Sequence, residues 1–172
     1  MITATSGKTE ILSSIDETLS ALVELMSSIN ENSINIVPFK DSWTAGQLIW
    51  HVTASTNAMG KALSTGSKPA DRDPGERIPQ LKKIFLDFST KMKSPDFIVP
   101  GPGPYDKKIL MEKLMQSFSE LIENARHANL SELVEGLPLG PITKLEILHF
   151  ALYHTQRHLH QLEKIANHLT GK

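Results

Sequence analysis

Along four long stretches of the chain, apolar residues recur every three or four positions, the spacing that gives a helix one buried stripe. In the first, Ile11, Leu12, Ile15, Leu19, Leu22, Val23, Met26 and Ile29 predict a helix over about residues 8–30, with Ser13, Ser14, Glu17 and Glu24 between them. Residues 32–40 lose the spacing and include Pro38, so they read as a loop. A second helix opens at Thr44 and Gln47, whose spacing lets hydroxyl and amide cap each other's backbone. It runs to about residue 64 through Leu48, Val52, Met59 and Leu63.

Residues 67–75 hold two Pro, one Gly and four charges, and predict an exposed connection. A shorter helix over about 78–93 carries Leu81, Ile84, Phe85 and Phe88. The next stretch, 94–105, contains Pro95, Pro100, Gly101, Pro102, Gly103 and Pro104 and cannot be a regular element. Its Gly-Pro-Gly core is no phosphate cradle either, since proline removes the N–H groups a cradle needs. A third long helix follows over about 106–128, through Leu110, Leu114, Phe118, Leu121 and Ala125. Residues 137–141 form a turn that places Pro141 at the first position of a last helix ending near His168. No stretch alternates as a strand does, so residues 1–172 predict one all-α domain, a helical bundle.

Composition narrows the chemistry. A chain of 172 residues is one domain long and buries about 70% of its unfolded surface without help from metal or disulfide. Eighteen Lys+Arg against 19 Asp+Glu leave a net charge of −1, which argues against a nucleic-acid groove and a polybasic membrane surface, since both need clustered excess Lys/Arg. Residues 1–10 lack the order of a signal peptide, and no apolar run approaches the ~20 residues of a membrane span. A soluble cytoplasmic protein is the expectation. The chain has no Cys, so disulfides, iron–sulfur clusters, Cys-ligated zinc and thiol nucleophiles are excluded. Any transition metal must bind nitrogen and oxygen, and there are seven His to consider.

At about 100° per residue the last helix unrolls so that Ile147, Ala151, His154, His158, Leu162, Ile165 and Leu169 share one sector. His149 and His160 fall about 120–140° from His154 and belong to another face. On the second helix His51 sits beside Leu48, Val52, Ser55 and Met59, at the edge of the apolar stripe. His127 and His168 lie near helix C-termini, where an imidazole complements the dipole. Three inward histidines, His51, His154 and His158, therefore come from two helices. Burying them without partners is costly. They are either hydrogen-bonded core residues or the ligands of one cation, the latter helped by the one-turn spacing of His154 and His158. The last helix also carries a second stripe, Leu145, Leu148, Leu152 and Leu159, which either packs inside the bundle or forms a homodimer interface.

Trp43-Thr-Ala-Gly-Gln-Leu-Ile-Trp-His51 on the second helix and Tyr153-His154-Thr-Gln-Arg-His158-Leu-His-Gln161 on the last resemble the DinB/YfiT-like superfamily. The likeness is closest to its DinB_2 branch in the segment from Gly140-Pro-Ile-Thr-Lys to Gln161-Leu. The resemblance implies a four-helix bundle, here with an additional short helix and a long Pro/Gly-rich connection; residues 67–105 are irregular for the family and are expected to hold extra structure over the site. It also implies a single divalent metal on three histidines, matching His51, His154 and His158; zinc or nickel is the expected ion.

Three protein ligands leave a coordination position open, as in catalytic rather than structural sites. The expected function is a metal-dependent enzyme acting on a small molecule. It is either a transferase using a low-molecular-weight thiol as co-substrate, as some relatives do, or a hydrolase. A non-catalytic metal-binding or stress-response scaffold is the alternative. For a hydrolase the candidate acids and bases are Tyr153, Glu146, Asp41 and Asp16, none singled out by the sequence.

Overall fold

The structure, a computed structural model, describes residues 4–171, with side chains from residue 7 onward. Residues 1–3, part of the opening read as free of a signal peptide, lie outside the described residues. Four long helices form the bundle: α1 (Ala4–Ser28), α2 (Ala45–Ser64), α4 (Lys107–His127) and α5 (Lys144–Thr170), with a short α3 (Ile78–Phe85) against α5. The predicted all-α bundle is therefore the observed architecture. Helix α2 packs chiefly on α4 and α1 on α5, while α2 and α5 meet across the middle. The stripes read from the sequence supply the core: Ile15, Leu22, Met26, Leu48, Leu63, Leu114, Phe118, Leu121 and Ile147 are essentially out of water. Among the described residues no helix is long and apolar enough to cross a membrane.

Helix ends follow local hydrogen bonding more closely than apolar spacing. Helix α1 stops before Asn30, whose side chain instead caps a short 3-10 turn, Glu31–Ser33, by accepting from Asn32 N–H. The Thr44–Gln47 capping box forms as predicted, with Gln47 N–H on Thr44 Oγ1 at 3.1 Å and Thr44 N–H on Gln47 Oε1 at 3.0 Å. Asp106 caps α4 through Ile109 N–H at 2.9 Å. Just inside α2, a Cβ on Gly46 would lie 3.1 Å from the Tyr105 side chain, so glycine lets the chain after residue 100 close on this helix.

Three expectations are corrected. The short helix ends at Phe85, not near residue 93. The Asp87 carboxylate turns back to accept from Ser89 N–H, Ser89 Oγ and Thr90 Oγ1, a local bonding pattern that competes with helix. The last helix starts at Lys144 rather than at Pro141, because Thr143 and Glu146 form a second capping box. Strands are also present: β1 (Lys68–Pro69), β2 (Glu132–Val134) and β3 (Ile142–Thr143) make a small antiparallel sheet in that order. Lys68 pairs with Leu133, and Val134 with Ile142. Strands of two or three residues are too short to show alternation. Of the second leucine stripe on α5, Leu148 and Leu152 are buried by the chain itself.

Candidate metal centre

Helix α2 brings His51 inward because its neighbours Leu48 and Val52 are both fully buried. Helix α5 brings His154 and His158 to the same level of the bundle, one turn apart. All three rings are removed from water, at 2, 6 and 7% exposure respectively. His51 Nε2 lies 3.2 Å from His154 Nε2, which lies 3.2 Å from His158 Nε2. One nitrogen from each of the three falls within 4.8 Å of the others. The rings of His154 and His158 meet edge to face at 4.4 Å, as do those of His51 and His158 at 4.7 Å.

The outer nitrogens decide what the inner ones can do. His51 Nδ1 lies 2.8 Å from the carbonyl of Ile98, which only accepts, so Nδ1 carries the proton and Nε2 presents a lone pair. His158 Nδ1 lies 3.0 Å from Gln161 Oε1 and is fixed in the same tautomer. His154 Nε2 thus faces two lone pairs and can satisfy one of them at most. A cation at the centre removes the conflict, because all three Nε2 atoms can then face it as donors of electron pairs. The donor set fits a divalent transition ion.

Burial makes the neutral form the stable one. Desolvation pushes His158 down to about 3, helped by the nearby His51. His154 is held well below the ordinary range by burial first, then by His158 and His51. His51 is lowered by burial, against a smaller opposing effect of the Ile98 carbonyl. Neutral imidazole is the ligating form. The walls are aromatic: Trp43 stands 4.9 Å from His51 between ring centres, and Phe150 5.5 Å from His154.

The segment 86–105 forms a strap across the cluster, as expected of the irregular connection. Its single 3-10 turn, Asp96–Ile98, carries the carbonyl that holds His51. Arg157, between the two α5 histidines, donates to the carbonyls of Asp87 at 2.8 Å and of Thr90. Phe88 stacks on His160 at 4.3 Å. Gln47, already part of the α2 cap, donates to Gly101 O at 3.0 Å, and Asn35 exchanges two bonds with Tyr105. Two surface depressions, one beside His127 and Lys144 and one beside Arg72 and Pro74, lie away from the cluster histidines.

The other histidines stay apart. His149 is half-buried beside Tyr153 Oη at 3.3 Å; His127 is exposed and pairs with Glu123; His168 donates to Lys164 O. The suggested acids and bases are not assembled on the cluster. Asp41 and Asp16 are exposed. Glu146 is fully buried, but Arg72 binds it through two bonds of 2.6 and 2.7 Å, and Arg77 N–H and Thr143 N–H take the rest. Tyr153 Oη reaches His149 instead. Sequence reasoning missed Ile98, Gln161 and Arg157. Gln161, three residues after His158 on one helix, was findable; a backbone carbonyl has no signature in residue type.

A family model described as the DinB superfamily matches residues 14–162. The chain belongs to the DinB superfamily. Two solved structures share the fold of this DinB chain. TT2238, described as a four-helix bundle protein, is 16% identical with a TM-score of 0.60, covering 91% of this chain and 98% of that one. A conserved protein from Enterococcus faecalis is 17% identical with a TM-score of 0.66, covering 95% and 97%. No curated protein matches the chain significantly in sequence. The family and the three-histidine cluster are together compatible with a metal site in this DinB protein.

Proposed function

We propose that this DinB protein is a metal-dependent enzyme that holds one divalent ion, zinc or nickel, on His51, His154 and His158 and transfers a group to or from a small thiol. The observation that carries the reading is the fixed tautomer of His51 and His158, which commits two buried lone pairs to one point. Bound there, the ion supplies the Lewis acidity that keeps a thiol as thiolate near neutral pH. The chain's own part is positional. Ile98 O and Gln161 Oε1 hold the outer protons of their histidines, and Trp43, Phe85 and Phe150 keep water from the rings. The chain has no Cys, so the sulfur arrives with the co-substrate.

A hydrolase on the same site is less well supported, because among the described residues no carboxylate joins the cluster to move a proton. Thermal unfolding of zinc- or nickel-loaded protein with cysteine, glutathione and 2-mercaptoethanol tests the transferase reading. A thiol that binds the native site raises Tm in the loaded protein and not after chelation. No shift with any thiol contradicts the transferase and leaves the hydrolase or the scaffold.

A further inference from the structure

His51 and His158 each have an oxygen for the outer nitrogen, and His154 has none: its Nδ1 is buried without a partner. Among the described residues one other buried side-chain polar atom is in the same condition, Ser55 Oγ. Buried polar atoms are seldom left so, and each asks for an explanation.

Helix geometry puts the two at neighbouring levels of the bundle, without a direct bond between them. Leu63 and Ser64 at the end of α2 line the same depression as Lys144 at the start of α5, while His51 meets His154 and His158. The helices are therefore antiparallel. Ser55, one turn beyond His51, lies level with the turn of α5 just before His154. Helical side chains lean toward their N-terminus, so the His154 ring is tilted to that same level. Ser55 also departs from its neighbours. Thr53 and Thr56 donate to the carbonyls of Ile49 and Val52 in the usual mid-helix manner, as Thr155 does to Ala151. The Ser55 hydroxyl does not, and is free for a partner across the bundle.

We infer that Ser55 is a positioning residue for His154: its hydroxyl accepts the Nδ1–H, by rotation about Cα–Cβ or through one water, and aims Nε2 at the point the other two share. The inference rests on the metal reading above. With it, each of the three ligands has an outer-shell acceptor, which fixes tautomer and ring angle.

The test is zinc affinity by competition with a chromophoric chelator, in wild type, Ser55→Ala and Thr56→Ala. Loss of an outer-shell partner costs about 10–100-fold in affinity, so Ser55→Ala weakens zinc by that factor. Thr56→Ala, whose hydroxyl serves its own helix, leaves affinity unchanged. Nitrogen-edited NMR of the zinc form supplies a signature that a purely structural role would not move. The His154 Nδ1–H resonance shifts or exchanges faster in Ser55→Ala, while those of His51 and His158 stay. Wild-type zinc affinity and an unmoved His154 resonance in Ser55→Ala overturn the inference alone. Failure of the wild type to bind zinc overturns the metal reading and the inference with it.

Discussion

Glu146 and His154 sit about two turns apart on α5, both out of water, yet their surroundings are opposite. Every lone pair of Glu146 that faces the protein has a donor: two from Arg72, one from Arg77 N–H, one from Thr143 N–H. Burial by itself would raise that carboxyl. The Arg72 guanidinium and the two backbone N–H groups outweigh it and hold the carboxyl below its ordinary range. His154 and His158, 8 and 12 residues further along the same helix, show the reverse together with His51 of α2, three inner nitrogens converging with too few protons among them. Saturation marks a group that fastens the fold; convergent unshared lone pairs mark a group waiting for a ligand. Burial alone does not tell them apart.

Breaking the saturated end should cost the most stability and leave metal binding intact. Arg72→Ala leaves a buried carboxylate short of its main partner and is expected to cost about 3 kcal/mol, read by chemical denaturation. The strap comes next. Arg157→Ala removes charged hydrogen bonds to Asp87 and Thr90 and is expected to raise local opening of 86–105 roughly tenfold, about 1.5 kcal/mol. Limited proteolysis of that segment is the readout. Thr44→Ala, a cap substitution on the helix of His51, should cost about 1 kcal/mol with no change in metal content.

The pH dependence sharpens the same contrast. Glu146 has a lowered carboxyl in the folded chain, so its stabilisation is present above the ordinary value of 4.5 and disappears as pH falls through the lower folded value. Denaturation of wild type and Arg72→Ala should therefore converge in acid and separate at pH 7. Parallel curves across that window would show that Arg72 does not hold the carboxylate.

Side chains on long helices were legible in the sequence. A rotation of about 100° per residue brought His51, His154 and His158 to inward faces and left His127, His149, His160 and His168 elsewhere, as the structure has them. What escaped lies off the helices or in the backbone. Phe88 kept the apolar spacing and extended α3 on paper, whereas it leaves the helix to stack on His160. Strands of two or three residues offer no period to detect. The Ile98 carbonyl belongs to a proline-flanked segment in which residue type says little about where an oxygen points. Glu146 is one of four candidate acids and bases that residue type alone offers, yet Thr143 three residues earlier carries the capping pattern that uses it.

The central claim is that the three inner nitrogens hold one ion, and metal analysis of protein purified without chelator tests it most directly. Wild type and His149→Ala should each carry about one equivalent of zinc or nickel per chain, while His154→Ala, which removes the middle ligand, should carry none. Equal metal content in His154→Ala and His149→Ala, or no metal in the wild type, would contradict it.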